Sequence, residues 1–213
     1  MNETSDLLVL GLGLILGLRH ALDPDHIVAV TTFIGEQRQI RRACRIGLFW
    51  GLGHTIALST AGLFVVGLKV PMSKWLADRL EFGVCIMLIV LGVRLITNVH
   101  RRWHTHDHSM DWQRSGLRPL LVGIVHGAAG SATLTLLVLS TISSTFHALL
   151  YILLFGIGSM AGMLLVSLLI SIPVKLAGER LSSALLPIQM GTGVLSCAFG
   201  LYLGVTIWSR LAS

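Results

Sequence analysis

Six long apolar stretches, separated by short connections, account for most of this 213-residue sequence. They cover, approximately, residues 7–30, 44–68, 79–98, 118–140, 147–170 and 185–208. A helix needs about 20 predominantly apolar residues to cross the hydrocarbon core of a bilayer, so each stretch is long enough to be a span. The sequence therefore predicts an all-α integral membrane protein with six transmembrane helices in one domain. No room remains for a second, soluble domain.

Charged side chains are too few for a water-soluble protein of this size. Asp, Glu, Lys and Arg make up 12% of the residues, against about 25% in an ordinary soluble domain. The hydrophobic fraction is 54% and the mean hydropathy is +0.79, so polar side chains cannot cover the surface. This composition excludes a water-soluble globular enzyme.

The basic residues are distributed unevenly between the two sides of the predicted membrane. The chain has 16 Lys and Arg against 10 Asp and Glu, a net charge of +6. Connections on one side carry Arg38, Arg41, Arg42, Arg45, Arg101, Arg102, Arg114, Arg118, Lys175 and Arg180, and those on the other carry Lys69, Lys74, Arg79 and Arg210. Because the side richer in Lys and Arg faces the cytoplasm, both termini are predicted outside it, with the chain in the cytoplasmic (inner) membrane. The positive charge is then a topology signal, and no nucleic-acid partner is predicted.

The two halves of the sequence share short motifs in the same order. The matching segments are Gly17–His20 with Gly123–His126, Gly51–His54 with Gly156–Ser159, and Glu81–Gly83 with Gln189–Gly191. Each half has three spans, an odd number, so the second half enters the membrane from the opposite side. Inverted repeats of this kind are typical of secondary transporters, although glycines shared at helix contacts are an alternative explanation. We expect one repeat at about 7–98, a cytoplasmic loop at about 99–117 and a second repeat at about 118–208.

An unusual run of ionisable residues, Arg19-His20-Ala-Leu-Asp23-Pro24-Asp25-His26, lies inside the first apolar stretch. Ionisable groups in hydrocarbon cost several kcal/mol each and indicate a functional site. Pro24 removes a backbone donor and is expected to break the helix, which turns His20, Asp25 and His26 toward one centre. Imidazole combined with carboxylate favours a first-row transition metal ion.

Two more intramembrane histidines, His54 and His126, occupy the second and fourth stretches. Each is either a hydrogen-bonded core residue or part of a metal site. The metal site is the favoured interpretation for His126, because this residue corresponds to His20 in the repeat. Other polar residues are candidates for the pathway or for supporting the ligands: Arg19, Asp23, Ser131, Ser159 and Glu81. Among these, Arg19 is expected to pair with Asp23 or Asp25, and Glu81 to mark an access site at the outer edge.

A histidine tract follows the third stretch. His104, His106 and His108 alternate with other residues, and Asp107 lies between the last two. Such a tract can bind metal transiently, or its histidines can be solvated and inert. It is a candidate accessory metal tract on the cytoplasmic side.

The motif His20-x4-Asp25-His26 resembles the signature of the nickel/cobalt transporter family, whose members carry this pattern within a span. Phe49-Trp-Gly-Leu-Gly-His54-Thr is similar to the second histidine segment of that family. Val125-His126-Gly-Ala-Ala-Gly-Ser131 is more similar to the short urease-accessory (UreH-type) membrane branch. The resemblance covers the first two spans and the general layout, and it implies a role in nickel supply.

These features predict a secondary transporter that moves Ni²⁺, with Co²⁺ as a second substrate, into the cell. The ion is the substrate, so no prosthetic group is expected, and the sequence has no Gly-rich phosphate loop to bind ATP. Two alternatives are an efflux permease and an intramembrane metalloenzyme, which needs an open metal position and a general base. The expected partners are the metal ion and the bilayer, with cytoplasmic nickel or urease accessory proteins, or a second copy of the chain, left open.

Overall fold

All regular structure in the described part of the chain is helical. The computed structural model describes residues 3–34, 39–68, 73–104, 116–129, 142, 144–180 and 182–211. Within these ranges lie seven helices: α1 (Glu3–His20), α2 (Pro24–Ile34), α3 (Ile40–Leu68), α4 (Lys74–His104), α5 (Leu117–Ala128), α6 (Thr145–Arg180) and α7 (Ser182–Leu211). The predicted all-α class is therefore confirmed.

Four of these helices are long and apolar enough to cross a membrane. The candidate spans are Ile40–Phe64, Lys74–His100, Thr145–Leu176 and Leu186–Leu211, which belong to α3, α4, α6 and α7. The first predicted span is divided between α1 and α2, and the fourth begins with the short apolar helix α5. Residues 130–141 lie outside the described part of the chain, so the count of six spans stays a prediction. The protein is a multi-pass helical membrane protein.

The chain leaves helical geometry for three residues in its first apolar stretch. Helix α1 ends at His20, and α2 begins at Pro24. Between them, the Leu22 amide donates to the Arg19 carbonyl at 2.9 Å and the Asp23 amide to the His20 carbonyl at 3.0 Å, which forms a tight turn. Proline suits the first position of a helix, because its missing N–H would have no intrahelical partner there. The helix break expected near Pro24 is therefore present.

The short helix α2 lies between two groups of helices. Helix α1 packs along α6, α3 packs along both α5 and α6, and α4 packs along α7. Helix α2 contacts α3, α4, α6 and α7, so it joins the α4–α7 pair to the other four helices. The arrangement puts the first turn of α2, with Asp25 and His26, inside the bundle.

Glycines let α1 and α6 approach until their backbones touch. A Cβ at Gly17 of α1 would collide with the carbonyl oxygen of Phe155 on α6, and a Cβ at Gly158 of α6 would collide with the carbonyl oxygen of Leu14 on α1. Small residues permit this close approach in membrane bundles, where packing rather than the hydrophobic effect holds helices together.

Helices α3 and α5 make the same kind of contact, in which each helix places a glycine against the backbone of the other. A Cβ at Gly123 of α5 would collide with the carbonyl oxygen of Trp50, and one at Gly53 of α3 would collide with that of Leu120. Gly123 is the residue that corresponds to Gly17 in the predicted repeat. The two close contacts fix the depth at which the histidines of α1, α3 and α5 lie.

We expect Gly17→Val to destabilise the protein strongly, because the added side chain meets backbone that cannot move aside. Overpacking costs about 1–3 kcal/mol even where side chains can adjust. The measurement is the thermal unfolding midpoint in detergent, together with the yield of monodisperse protein. Gly83→Val is the matched control, since a Cβ at Gly83 meets nothing within 4 Å. Equal behaviour of the two variants would refute the close α1–α6 contact.

Large apolar side chains cover the outward faces of the bundle. Examples more than half exposed are Ile15, Phe64, Val90, Leu153 and Val205. Such a surface is unfavourable in water but suits the hydrocarbon of a bilayer. Two polar residues of the first apolar stretch, His20 and His26, are placed differently, since they point into the bundle and are buried.

Candidate metal centre

Four buried histidines meet inside the bundle near the break between α1 and α2. His20 is the last residue of α1, His26 lies in the first turn of α2, His54 lies on α3 and His126 lies in the last turn of α5. Their exposed fractions are 8%, 0%, 0% and 1%, respectively. The structure thus brings together the four histidines that the sequence singles out within the apolar stretches.

His26 is the centre of this cluster. Its ring centroid lies 4.5 Å from that of His20, 5.2 Å from that of His54 and 4.0 Å from that of His126. The rings of His54 and His126 are farther from each other, at 6.1 Å. The outer histidines are therefore arranged around one central imidazole.

Two carboxylates orient three of these imidazoles. Asp25 contacts two of them, with Oδ1 3.1 Å from Nδ1 of His26 and Oδ2 2.8 Å from Nε2 of His126. Asp25 Oδ1 also accepts the backbone N–H of His26 at 3.0 Å. Asp23 Oδ2 lies 2.7 Å from Nδ1 of His20. In metal sites, the ring nitrogen of a histidine that does not bind the metal commonly donates to a carboxylate, which fixes the tautomer and orients the ring.

These contacts determine where the nitrogen lone pairs lie. An ionised carboxylate only accepts hydrogen bonds, so His26 donates from Nδ1 and His126 donates from Nε2 to Asp25. The lone pairs are then on His26 Nε2 and His126 Nδ1, and both atoms are buried without a hydrogen-bond partner among the described residues. A buried polar atom left unpaired costs about 1–3 kcal/mol, which a bound cation would remove.

His20 and His54 continue the same arrangement. Because His20 donates from Nδ1 to Asp23, its Nε2 is free to accept the Nε2–H of His54 at 3.2 Å. That assignment leaves the lone pair of His54 on Nδ1, which is also buried and makes no hydrogen bond in the described part of the chain. The cluster therefore presents imidazole lone pairs and carboxylate oxygens, which suit a first-row transition metal ion.

The polar side chains form two groups that satisfy the distance requirement for one ion. His20, His26 and His54 form the first group, and Asp25, His26 and His126 form the second. Within each group the ligand atoms lie within 4.8 Å of one another. His26 is the residue that both groups share.

Aromatic rings enclose the cluster on two sides. Trp50 lies one turn before His54 on α3, and its ring is 5.4 Å from the ring of His26 and 5.8 Å from that of His126. Phe155 of α6 is 5.5 Å from the ring of His20. The sequence motif around His54 includes Trp50, and its spacing of four residues from His54 could have placed it on the same helix face. These rings limit access of water to the cluster.

Arg19 and Ser159, two further candidates from the sequence, belong to neither metal-sized group among the described residues. Arg19 is exposed on α1, and the carboxylates expected to pair with it contact histidines instead. The reason is that His20 and Arg19 point to different faces of α1, and only the His20 face is turned inward. Ser159 is fully buried on α6, and its hydroxyl has no hydrogen-bond partner among the described residues.

The predicted access site at Glu81 belongs to a separate ion-pair cluster. Arg210 of α7 lies 3.6 Å from Glu81 and 3.7 Å from Asp78, both on α4. The accessory tract lies largely outside the described residues, since His106 and His108 are not described and only the backbone of His104 is. The predicted pathway residue Ser131 also lies outside them.

Three known proteins are similar to this chain, and the names of two of them specify nickel. The chain is 36% identical to the urease accessory protein UreH of Bacillus sp. (strain TB-90), over 99% of this chain and 100% of that protein. It is 27% identical to a protein of Methanocaldococcus jannaschii named as a nickel/cobalt efflux system, over 68% of this chain and 67% of that protein. It is also 31% identical to the nickel transporter NixA of Staphylococcus aureus, over 42% of this chain and 28% of that protein.

No family model matches the chain, and no solved structure does. The likeness to the Bacillus protein nevertheless extends over the whole of both sequences.

Proposed function

This chain belongs to the nickel/cobalt transporter family, and on that premise we propose that it is a secondary transporter that imports Ni²⁺, and also Co²⁺, through its buried histidine cluster. Its relatives are named as transporters or as an accessory protein, and none is named as an enzyme. The chain is accordingly not an enzyme. The metal ion is the cargo and not a resident cofactor.

The observation that carries this proposal is the set of unpaired imidazole nitrogens inside the bundle. His26 Nε2, His54 Nδ1 and His126 Nδ1 are buried without hydrogen-bond partners in the residues described. A structural role would favour satisfied hydrogen bonds, because an unpaired buried polar group is costly. The carboxylate of Asp25, which belongs to one of the two metal-sized groups, also offsets part of the charge of a divalent cation.

The donor set supports nickel or cobalt as cargo. Nitrogen-rich sites with carboxylate suit nickel, cobalt, zinc and copper, whereas magnesium and calcium prefer sites made of oxygen alone. Two of the three relatives have names that specify nickel, and one of these names also specifies cobalt. Together, the chemistry of the site and the relatives favour Ni²⁺ first and Co²⁺ second.

Paired contacts between the halves support the proposal of two inverted three-helix repeats. The α1–α6 contact at Gly17 has its counterpart in the α5–α3 contact at Gly123. Between α4 and α7, a Cβ at Gly92 would meet the Gly193 carbonyl, and a Cβ at Gly200 would meet the Cys85 carbonyl. A two-fold axis that exchanges the halves would relate the contacts of each pair. Substrate sites of inverted-repeat transporters lie near the midplane, between the repeats.

The membrane potential is a sufficient energy source for import. A divalent cation that enters an inside-negative cell gains about 4.6 kcal/mol per 100 mV, twice the value for a single charge. That free energy supports roughly a thousandfold accumulation. With both termini outside the cytoplasm, as the basic loops predict, Ni²⁺ would be delivered to the side where nickel or urease accessory proteins take it up.

We expect expression of the chain to raise the nickel content of cells about tenfold or more, well within the limit that the potential sets. The measurement is cell-associated nickel by mass spectrometry in a host that lacks its own nickel importer, at nanomolar to micromolar external Ni²⁺. His20→Ala is compared at equal expression. An unchanged nickel content, or an equal rise with His20→Ala, would contradict import through this site.

Efflux is a second candidate function, because one relative is named as a nickel/cobalt efflux system. The two directions have opposite phenotypes in the organism that encodes the chain. Deletion causes nickel starvation if the chain imports, and sensitivity to added nickel or cobalt if it exports. In that second case, the histidine tract at 104–108 would collect metal for export.

A further inference from the structure

The candidate ligand atoms of the histidine cluster form two groups of metal-sized dimensions among the described residues, and not one. Metal–nitrogen bonds are about 2 Å long, so the ligand atoms of one ion have to lie close to one another. The ring centroids of His54 and His126 are 6.1 Å apart, farther than either centroid is from that of His26. Neither of the two metal-sized groups among the described residues contains both of them.

The two groups have different chemistry and different origins in the chain. The first-half position consists of His20, His26 and His54, all from the first repeat and all imidazoles. The interface position consists of Asp25 and His26 from the first repeat and His126 from the second, so it includes a carboxylate. An ion in the first-half position contacts only one half of the protein, whereas an ion in the interface position contacts both.

His26 is able to serve both positions with different atoms. Its Nδ1 lies 3.1 Å from Oδ1 of Asp25, a member of the interface position, and can bind an ion there once it has released the proton that it otherwise donates to Asp25. Its Nε2 is fully buried and makes no hydrogen bond among the described residues. The two nitrogens of one imidazole point in different directions, so the ring stands between the two positions.

We propose that the transported ion occupies the first-half position and the interface position one after the other, with His26 as the ligand common to both. The ion exchanges His20 and His54 for Asp25 and His126 and is never without protein ligands in the low-dielectric interior. Mutual repulsion of two divalent cations at such short range keeps the occupancy at one ion. This inference rests on the proposed function, since it divides the transport site into two steps.

The test is binding of Co²⁺ to the purified full-length protein, read from the visible absorption of the ion and from equilibrium dialysis. His54→Ala removes a ligand of the first-half position only, His126→Ala removes one of the interface position only, and His26→Ala damages both. His100→Ala, an exposed histidine at the end of α4, is the matched control. Asparagine replaces alanine wherever the alanine variant does not give monodisperse protein.

Two positions predict that His54→Ala and His126→Ala each still bind one Co²⁺, with affinity within about tenfold of the wild type. Their absorption spectra differ, because one retained position contains a carboxylate and the other does not. His26→Ala lowers the affinity about a hundredfold or more, as expected for loss of a direct ligand. Both outer variants lose transport although they bind.

A single position predicts a different pattern. If His54→Ala or His126→Ala loses Co²⁺ affinity to the same extent as His26→Ala, the ion has one position that needs every ligand, and the proposal is overturned. Transport at the wild-type rate by either outer variant also overturns it. Failure of the proposed function is distinguishable, because in that case the wild-type protein itself does not transport.

Discussion

Replacing His26 with alanine is expected to lower Ni²⁺ uptake about a hundredfold or more, since loss even of a group that supports a ligand costs about 10–100-fold in metal affinity. His26 is the one ligand shared by both metal-sized groups among the described residues. It is also fully buried, so water cannot replace its nitrogen from a nearby surface. The measurement is the initial rate of radioactive Ni²⁺ uptake at equal amounts of protein in the membrane.

His100→Ala is the control for this substitution, because His100 is exposed and lies outside both groups. We expect its uptake to remain at the wild-type level. Folding of His26→Ala is checked by its elution and thermal midpoint in detergent, and His26→Asn is used if the alanine variant is unstable. A folded His26 variant with wild-type uptake would show that the ion takes another route.

Replacing Asp25 with asparagine is expected to reduce uptake by a similar factor, although the side chain keeps its size. The substitution removes the charge that attracts the cation, and the attraction between a dication and a carboxylate at about 4 Å is on the order of 8 kcal/mol at an effective dielectric of 20. It also replaces one acceptor oxygen by an amide donor. In the wild-type protein, both oxygens of Asp25 accept hydrogen bonds, from His26 and His126. Both rings would lose the partner that orients them.

Asp78→Asn is the matched control for Asp25→Asn. Asp78 is also a buried acid, but it pairs with Arg210 and belongs to neither metal-sized group of the described chain. We expect that control to change uptake by less than about threefold, because a partly exposed ion pair contributes little. Asp25→Glu is expected to retain part of the activity. Equal uptake by Asp25→Asn and the wild-type protein would exclude a carboxylate ligand at this position.

Much of the candidate site could be predicted from the sequence, for a physical reason. Ionisable residues are so costly inside a membrane that each one within an apolar stretch has to be explained. That rule identified His20, Asp25, His26, His54 and His126, and the structure brings all five together. Pro24 was equally informative, because a proline in a span predicts a break with few alternatives.

Other features depend on tertiary contacts that a linear pattern does not contain. The carboxylates were expected to pair with Arg19, but the rotation of α1 in the bundle turns His20 inward and leaves Arg19 exposed. Trp50 was missed because an aromatic residue in a span is usually a packing residue. The division into two groups around His26 depends on ring separations of a few ångströms, which spacing along a helix cannot predict.

The span count shows a limit of another kind. Hydropathy alone does not distinguish a full span from two shorter helices, and only Pro24 predicts the break that divides the first stretch into α1 and α2. The glycine motifs were more informative. Those at Gly17 and Gly123 coincide with the closest contacts between helix backbones, because only glycine permits them.

The most direct test of potential-driven import through the buried cluster is radioactive Ni²⁺ uptake into proteoliposomes containing the purified chain, with a K⁺ diffusion potential of about 100 mV, inside negative. For the wild-type protein we predict accumulation toward roughly a thousandfold, abolished when the potential is collapsed. His20→Ala in parallel vesicles should show neither uptake nor a response to the potential. Accumulation that ignores the potential, or that persists in His20→Ala, would contradict import of the ion through the histidine cluster.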